Sequence, residues 1–430
     1  MNSRRDFLRL ASFGAGVLAA PQGAILSLER YATAAPESLA ADEDFWLEVQ
    51  SAFAVDRTYV NLNNGGVSPT PTVVLDAVKR GMDAVNGAAA HNLWTHEEPR
   101  VESVRKQLAR MFGCDAEEIA ITRNASESLE TVQFGLPLQR GDEVITTTHD
   151  YPRMITTWEQ RERRDGIVLK KVSVPAPLRK SSDAVSAIEA AITPKTKVIH
   201  ISQITFCGGQ IYPVKDITRL ARSKGIDCIV DGAHAFAQFP FAHRDLDCDF
   251  YGTSLHKWLY APIGTGMLYV RKEHIKRVWP LMAAPAEMDG NIRKFEEIGT
   301  HPAAMHNAVA EALRFHTAIG AERKAARLRY LHHRWIDRLR RYPSAKFAVD
   351  IDKEANWCGL VVFSIDGVNN GKLCSYLLEQ HRMITVAITY ADLNGIRVTP
   401  NVYTTTDEID RFADVLEQAA QGNIPDVKEG

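Results

Sequence analysis

The stretch that decides the fold runs from Val230-Asp231-Gly232-Ala233-His234 to Ser254-Leu255-His256-Lys257. An acid stands at the end of a predicted β-strand, and a lysine follows a Ser-x-His turn. Taken singly, the acid could be an ordinary helix N-cap and the lysine a solvated surface residue. The residues around the pair therefore decide how it is interpreted.

Asp231 and Lys257 are the two groups that pyridoxal phosphate requires from a protein. A lysine holds the aldehyde as a Schiff base, and an acid keeps the pyridine nitrogen protonated so that the ring accepts electrons. We therefore predict these two as catalytic residues and pyridoxal 5'-phosphate as the cofactor. The six cysteines show no metal-type spacing, so we predict neither a metal site nor an obligatory disulfide.

Several motifs together resemble the class V aminotransferase family of fold-type I pyridoxal-phosphate enzymes, between about residues 59 and 416. The resemblance implies a homodimer and an α/β fold, in which a mostly parallel seven-stranded sheet lies between helices and a smaller C-terminal α/β domain follows. An Asn-Gly-Gly loop, a His-Asp-Tyr-Pro motif and an Ile-Arg-Val segment look most like the isopenicillin N epimerase branch. The family motifs are Asp231-Gly-Ala-His-Ala, Leu246-Asp-Cys-Asp-Phe-Tyr, Ser254-Leu-His-Lys257 and Gly264-Thr-Gly-Met-Leu-Tyr-Val270.

Apolar patterning agrees with this fold. Short runs rich in Val and Ile alternate with helix-length segments, which indicates a mostly parallel sheet covered on both faces. We predict four segments: a signal peptide (1–34), an N-terminal arm (35–70), a large domain (71–305) and a small domain (306–430). Strands are predicted at 118–122, 143–147, 167–172, 197–202, 227–231, 265–270, 359–365, 384–389 and 395–399.

Two turns are predicted to hold the cofactor's phosphate. Ala125 and Ser126 open a helix after a strand, where amides and a hydroxyl can approach a phosphate, although Ser126 could equally be an N-cap. Ser254 and His256 resemble the family's second pair of phosphate ligands, although His256 could be a packed turn residue. The resemblance implies that Thr300 reaches the phosphate of the neighbouring subunit, so the active site would be shared.

The family covers one face of the pyridine ring with a flat side chain. In Thr148-His149-Asp150-Tyr151-Pro152, the spacing to Trp158 places Tyr151 at the stacking position and Asp150 where the family has Glu. His149 remains a competitor for the stacking position.

Two further residues are predicted to contact the cofactor. His234 could hydrogen-bond the phenolic oxygen or Lys257. Thr205 matches the family position that contacts the phenolic oxygen, with Gln203 as an alternative. An ordinary buried hydrogen bond is the competing interpretation for each of them.

The substrate side is predicted from the carboxylate of an amino acid, for which a planar arginine is the natural receptor. Arg397, followed by Tyr403-Thr404-Thr405, resembles the family's carboxylate-binding signature, although a strand arginine could instead form a salt bridge. Asn64 and Gly65 resemble the loop that lies close to the substrate, although Gly65-Gly66 alone would indicate only a turn.

The N-terminus predicts export. Ser3-Arg4-Arg5-Asp6-Phe7-Leu8-Arg9 precedes an apolar run that is shorter than the roughly 20 residues of a membrane span. With the small residues at 32–34, this is typical of a twin-arginine signal peptide, and so of the export machinery and the periplasm; the alternative is a disordered basic tail. A net charge of −2 suggests neither nucleic-acid binding nor stable membrane association.

The sequence therefore predicts a periplasmic pyridoxal-phosphate enzyme that acts at the Cα of an amino acid, or of an amino-acid residue in a larger metabolite. An aminotransferase or epimerase is favoured. A lyase or a siderophore-tailoring enzyme is the alternative, and an inactive binding protein is disfavoured because Asp231 and Lys257 are both present. Cysteine desulfurase activity is disfavoured because Arg382 occupies the nucleophile position and Cys374 lies in a predicted helix.

Overall fold

The computed structural model describes Leu28, Tyr31 and residues 34–428. Most of the predicted signal peptide lies outside the described residues. Leu28 is fully buried, and the ring of Tyr31 meets that of Phe45 edge-on at 5.0 Å between centroids. Cleavage after residue 34 would therefore remove two residues that pack on the large domain.

Two main sheets organise the chain. Among the described residues, the strands are β1 Val60–Asn61, β2 Ile119–Thr122, β3 Glu143–Thr147, β4 Val168–Val172, β5 Thr196–Ser202, β6 Asp227–Asp231, β7 Phe250–Ser254, β8 Gly266–Val270, β9 Ala345–Phe347, β10 Val361–Ile365, β11 Met383–Ile384, β12 Val386–Tyr390 and β13 Leu393–Val398. The large sheet has the order β2-β8-β7-β6-β5-β3-β4, and only β8 runs antiparallel to its neighbours. The predicted seven-stranded, mostly parallel sheet is confirmed.

The strand β7 is the one member of this sheet that the apolar pattern did not delimit. Gly252, Thr253 and Ser254 dilute its hydrophobic character, yet every residue of the strand is buried. A Cβ atom on Gly252 would come within 2.7 Å of Leu129, so the glycine lets a helix approach the strand closely.

Helices cover the large sheet on both faces, as its buried strands require. Among the described residues, the α-helices are Pro36–Ala40, Glu43–Ser51, Thr72–Gly87, Ala89–Asn92, Glu98–Phe112, Ala125–Gly135, Pro152–Asp165, Ser181–Ala191, Val214–Ser223, His243–Leu246, Lys272–Ile275, Ala303–Ile319, Ala321–Leu339, Asn370–His381 and Thr406–Ala420. No helix in this part of the chain is both long and apolar enough to span a membrane.

The small domain is built on the antiparallel sheet β12-β13-β10-β9. Trp335, Phe363 and Phe412 form its aromatic core, and the N-terminal arm joins it by pairing β1 with β11. The helix Ala303–Ile319 packs on Thr72–Gly87, and so belongs with the large domain. Gly320 separates this helix from the next one, Ala321–Leu339, and the predicted boundary after residue 305 stays a prediction.

The topology sets the position of the site. The parallel strands β3, β5, β6 and β7 end at the same edge of the sheet, where ligands bind in open α/β folds. Asp231 and Ser254 are the last residues of β6 and β7. Lys257 follows three residues after Ser254, on the turn that leaves the sheet.

Candidate active site

A cavity of about 440 Å³ opens at this edge of the sheet. Eight of its lining residues were predicted from the sequence: Ala125, Ser126, Tyr151, Asp231, His234, Ser254, His256 and Lys257. Sequence reasoning did not single out the others: Gly66, Asn124, Leu129, Arg153, Met154, Ser202, Ile204, Phe206 and Ala233. The predicted catalytic pair therefore faces one common cavity.

Asp231 is a buried acid at the wall of this cavity. Its Oδ1 accepts a hydrogen bond of 2.9 Å from the amide of Ala233, which holds the carboxyl at the end of β6. Burial raises the pKa of Asp231 to about 6, against the lowering effects of that amide and of the Lys257 amine. A cationic ring nitrogen is the kind of partner that would ionise this carboxyl.

Lys257 presents a reactive amine to the same cavity. Burial lowers the pKa of Lys257 to about 8, with Asp231 opposing the shift and the Arg397 guanidinium adding to it. The Lys257 Nζ lies 3.5 Å from Nε2 of His234, whose pKa burial holds well below its usual range. Roughly a tenth of this lysine is therefore neutral at pH 7, far more than for an ordinary lysine, and the neutral form is the one that acts as a nucleophile.

The end of the cavity that is predicted to bind the cofactor's phosphate is a helix N-terminus with hydroxyl groups beside it. Asn124 caps the helix Ala125–Gly135 by accepting from the amide of Glu127, and the Ala125 amide donates to the Ser254 hydroxyl at 2.9 Å. Half-buried His256 completes this wall, with Nδ1 3.2 Å from the Thr265 carbonyl oxygen. The arrangement offers amides and hydroxyls to an anion.

Tyr151 and His149, the two candidates for the stacking position, lie in different environments. Tyr151 lines the cavity with 39% of its surface exposed, and its ring meets that of Phe206 edge-on at 5.3 Å. His149 is buried away from the lining, with Nε2 2.5 Å from Oδ1 of Asp392. Tyr151 is therefore the one in position to cover a ring in the cavity.

Thr205 does not line the cavity, and its contact with the phenolic oxygen stays a prediction. Its hydroxyl accepts from the amide of Gln210 at 3.2 Å, and the alternative, Gln203, accepts from the Tyr251 hydroxyl at 3.1 Å. The alternation of side chains past the end of β5 directs Ser202, Ile204 and Phe206 to the cavity instead.

Arg397 lies beside the cavity without a carboxylate partner among the described residues. It is 92% buried, donates to the Phe206 carbonyl oxygen at 3.3 Å and to Asn63 Oδ1 at 3.0 Å, and its Nε has no hydrogen-bond partner. Burial lowers its pKa. The salt-bridged alternative is not realised, so the guanidinium remains available for an external carboxylate.

Asn64 has a supporting role in this structure. Its buried amide donates to the Thr399 carbonyl oxygen at 2.9 Å and accepts from the Tyr403 hydroxyl at 2.6 Å, so it does not line the cavity. The Gly65 amide donates to the Thr399 hydroxyl, and a Cβ at Gly65 would come within 2.9 Å of Thr399. This network places Gly66, rather than Asn64, at the cavity wall.

Thr300 lies exposed on a loop and does not line this cavity. A contact between Thr300 and the phosphate bound by a second subunit therefore stays a prediction.

No thiol lines the cavity in the described part of the chain. Cys207 is buried 3.6 Å from the His149 carbonyl oxygen, and burial raises the pKa of its thiol to about 12. Cys374 lies in the helix Asn370–His381 and accepts from the Thr385 hydroxyl at 3.3 Å. Neither is placed or ionised as a nucleophile would be.

The residues present fit pyridoxal phosphate. The cavity combines a buried acid for a ring nitrogen, an amine for an aldehyde and a helix N-terminus for a phosphate. Gly266 lets β8 approach the turn before this helix closely, since a Cβ there would lie 2.6 Å from the backbone of Asn124. The buried Nδ1 of His234, which has no hydrogen-bond partner, is a further polar atom in the lining.

Comparisons with known proteins agree with this geometry. The profile of the family "Aminotransferase class-V" matches residues 60–412. An isopenicillin N epimerase of Streptomyces clavuligerus is 28% identical over 390 residues, which cover 86% of this chain and 98% of the relative. A cysteine desulfurase of Haloferax volcanii is 25% identical over 393 residues, which cover 84% of this chain and 89% of the relative.

Solved structures share the fold. The apo cysteine desulfurase of Thermococcus onnurineus NA1 has a TM-score of 0.76 at 22% identity, covering 87% of this chain and 98% of its own. A C-DES mutant with glycine covalently linked to its PLP cofactor has a TM-score of 0.75 at 23% identity, covering 84% of this chain and 96% of its own. At these identities the likeness concerns the fold alone.

Proposed function

The chain belongs to the aminotransferase class-V family, and from that premise we propose that it is a pyridoxal-phosphate-dependent enzyme that acts at the Cα of an amino acid, or of an amino-acid residue in a larger metabolite. The observation that carries this proposal is that Asp231 and Lys257 line one cavity. The guanidinium of Arg397, which has no carboxylate partner among the described residues, lies beside that cavity.

The cofactor, when bound, supplies an electron sink for the charge that develops on Cα. Asp231 would hold the proton on the ring nitrogen, and Tyr151 would cover one face of the ring. The Ala125 amide, Ser126, Ser254 and His256 are the residues that would hold its phosphate.

Lys257 has two tasks in this proposal. Its neutral amine would attach the cofactor, and, once released by substrate, it would take the proton from Cα. A pKa of about 8 suits both tasks, because the neutral and protonated forms then exchange readily near neutral pH. His234 Nε2, at 3.5 Å, is placed to share that proton.

Arg397 would fix the substrate by its carboxylate. A substrate attached to the cofactor through its amine and held at its carboxylate by Arg397 would have its Cα confined near the released Lys257 amine, which is how binding energy is used to orient the bond that breaks. We propose Cα proton transfer of the aminotransferase or epimerase type. Desulfuration is disfavoured, because no cysteine lines the cavity in the described residues.

The enzyme would act in the periplasm after twin-arginine export. Support for this comes from Arg4 and Arg5, followed by Phe7, Leu8 and a short apolar run. This pathway carries folded proteins, so the cofactor could be taken up before export.

We further propose a homodimer with a shared active site. Several large apolar side chains are exposed on the single chain, among them Trp279 with 70% of its surface, and a second copy would cover them. The others are Trp94, Ile263, Leu281 and Met282. A species that sediments as a monomer and retains full activity would contradict this proposal.

Incubation with a panel of amino acids and short peptides tests the function. The cofactor spectrum and the products would be followed, with exchange of the Cα hydrogen for solvent deuterium as the common readout of all Cα chemistry. Deuterium exchange with at least one panel member is expected in the wild type and absent in Lys257→Ala. Release of sulfur from cysteine in place of Cα exchange would favour the desulfurase alternative.

A further inference from the structure

The turn between β12 and β13 bridges the small domain to the loop that carries Tyr151. Two contacts form the bridge. His149 Nε2 lies 2.5 Å from Oδ1 of Asp392, and the Tyr390 hydroxyl donates to the Asp150 carbonyl oxygen at 3.1 Å. Both small-domain residues flank Ala391, whose φ of 52° marks a tight turn. We call Tyr390, Ala391, Asp392 and Leu393 the bridging turn.

The large-domain side of the bridge is rigid. The Asp150 carboxylate accepts from the hydroxyls of Thr146 and Thr147 and from the amide of Ser202, at 2.6 to 2.9 Å. The His149 side chain is 3% exposed, so its imidazole has little room to reorient. The bridging turn therefore meets a fixed surface rather than a mobile loop.

The small-domain side is equally fixed. Tyr390 pairs with Leu393 across the turn, and β13 is hydrogen-bonded to β12 on one side and to β10 on the other. Arg397 lies four residues beyond Leu393 on this same strand. A displacement of the bridging turn would therefore move the guanidinium with it.

The His149–Asp392 pair favours the ionised form of the Asp392 carboxyl. The Asp392 side chain is 55% exposed; partial burial raises its pKa, but the hydrogen bond and electrostatic attraction of His149, together with a backbone hydrogen bond, lower it by more. The carboxylate is thus ionised and accepts from the imidazole. A partly buried ion pair of this kind contributes more to stability than a fully exposed pair does.

Phe206 links the bridging turn to the candidate receptor. Its ring meets Tyr390 edge-on at 5.0 Å and Tyr151 at 5.3 Å, while its carbonyl oxygen accepts from Arg397. The bridging turn, the proposed ring-covering residue and the guanidinium thus form one packed unit across the gap between the domains.

We propose that His149 and Asp392 are positioning residues, whose pairing fixes the small-domain strand β13 so that Arg397 stands at the distance from Lys257 that the substrate carboxylate requires. This rests on the proposed function, because it takes Arg397 as the carboxylate receptor. The chemistry at Lys257 itself does not need the pair. Loss of the pair should therefore weaken recognition of the carboxylate and leave the reactivity of the cofactor site intact.

Two reagents separate these effects without knowledge of the natural substrate. Aminooxyacetate and O-methylhydroxylamine both attack the lysine-bound cofactor through the same aminooxy group, but only the first carries a carboxylate. The ratio of their second-order rate constants, followed by loss of the visible cofactor band, measures carboxylate recognition. The variants are Asp392→Ala, Asp392→Glu, Tyr390→Phe and Arg397→Leu. Asp366→Asn is the matched control, because Asp366 forms an exposed pair with Lys346 on the same domain.

We expect Arg397→Leu to abolish the wild-type preference for aminooxyacetate. Asp392→Ala should lower that preference by about five- to tenfold, the range set by loss of a charge-assisted hydrogen bond. Tyr390→Phe should lower it less, Asp392→Glu should restore most of it, and Asp366→Asn should leave it unchanged. The rate with O-methylhydroxylamine should stay within about twofold in the Asp392, Tyr390 and Asp366 variants, as expected when only carboxylate binding changes.

Amide hydrogen exchange provides a readout independent of reactivity. In the cofactor-free protein, Asp392→Ala should speed exchange in residues 386–398 and around Phe206, whereas Asp366→Asn should not. The proposal is overturned if Asp392→Ala leaves the rate ratio unchanged, or if both reagents slow equally. A wild type that shows no lysine-bound cofactor at all would instead overturn the proposed function.

Discussion

The Lys257 amine and the His234 imidazole stand 3.5 Å apart on the wall of the cavity. Burial lowers the pKa of each, so the imidazole is neutral and the amine gives up its proton more readily than an ordinary lysine. A neutral amine next to an imidazole can accept and return a proton at little cost. The proximity of these two nitrogens, each with a lowered pKa, therefore sets the electrostatic environment of the proposed catalytic centre.

The first prediction concerns the pH dependence of cofactor attachment. Only the neutral amine attacks an aldehyde, so the rate at which cofactor-free protein takes up pyridoxal phosphate should rise with pH and level off above the pKa of Lys257, about 8. Stopped-flow absorbance over a range of pH measures this profile. A midpoint near 10.5, the ordinary lysine value, would show that the cavity does not lower the pKa.

The second prediction concerns Asp231 and stability. Its pKa is raised from 3.8 to about 6, so the folded cofactor-free protein holds a proton that the unfolded chain has already lost between these values. This contribution to stability is full below pH 3.8 and lost as pH rises through about 6. At pH 7 Asp231→Asn should therefore be more stable than wild type by about 2 to 3 kcal/mol.

Urea unfolding of the cofactor-free proteins measures this difference. The gain of Asp231→Asn should shrink as the pH is lowered from about 7 toward 5. The same variant should bind the cofactor more weakly than wild type, because an amide does not hold a ring proton. Equal stabilities of the two proteins at pH 7 would contradict the raised pKa.

The third prediction concerns Gly266 at the phosphate end. In Gly266→Ala the new Cβ would meet the backbone of Asn124 at 2.6 Å, and backbone cannot move aside cheaply. We expect a loss of about 1 to 3 kcal/mol in unfolding free energy from overpacking, and cofactor affinity weakened about tenfold or more.

Gly290→Ala is the control for Gly266→Ala, because nothing lies within 4 Å of its new Cβ. Cofactor titrations and urea unfolding of both variants would be compared. Cofactor affinity that is equal in the two variants would show that Asn124 and Ala125 do not form the phosphate end.

The fourth prediction concerns export. Replacing Arg4 and Arg5 with lysine keeps the charge but removes the paired arginines of the signal. We expect the protein to remain in the cytoplasm, as measured by immunoblotting of cell fractions. Replacing Arg9 with lysine, outside the pair, should leave export unchanged. Equal amounts of periplasmic protein in wild type and the double variant would contradict the twin-arginine assignment.

Regular elements of the fold could be predicted where apolar residues follow one another along the chain. The boundaries of β3 and β6 agree with the prediction residue by residue, and each strand contains an adjacent Val and Ile. The strand β7 was not predicted, because its polar and small residues give no apolar run. The single strand predicted at 384–389 corresponds to two strands, β11 and β12. A break of one residue, Thr385, is invisible to a pattern of apolar residues.

Site residues could be predicted where they terminate regular strands. Asp231 ends the predicted strand β6 and faces the cavity. Ser254 ends β7, which the apolar pattern did not delimit, so its prediction came from the family resemblance. Thr205 and Asn64 could not be placed in this way, since both lie in irregular segments where local hydrogen bonds set the side-chain direction. Phe206 was missed because an aromatic residue in a loop carries no periodic signal, and Arg153 because it stands in the first turn of the helix Pro152–Asp165, where nothing in the pattern marks it as facing a site.

The central claim is that Lys257 binds pyridoxal phosphate covalently. Reduction of the purified protein with borohydride, followed by proteolysis and mass spectrometry of the peptides, tests it most directly. We predict a phosphopyridoxyl group on Lys257 in wild type, with loss of the visible absorption band on reduction, and neither the label nor the band in Lys257→Ala. A label on another lysine, or a band that persists in Lys257→Ala, would contradict the account.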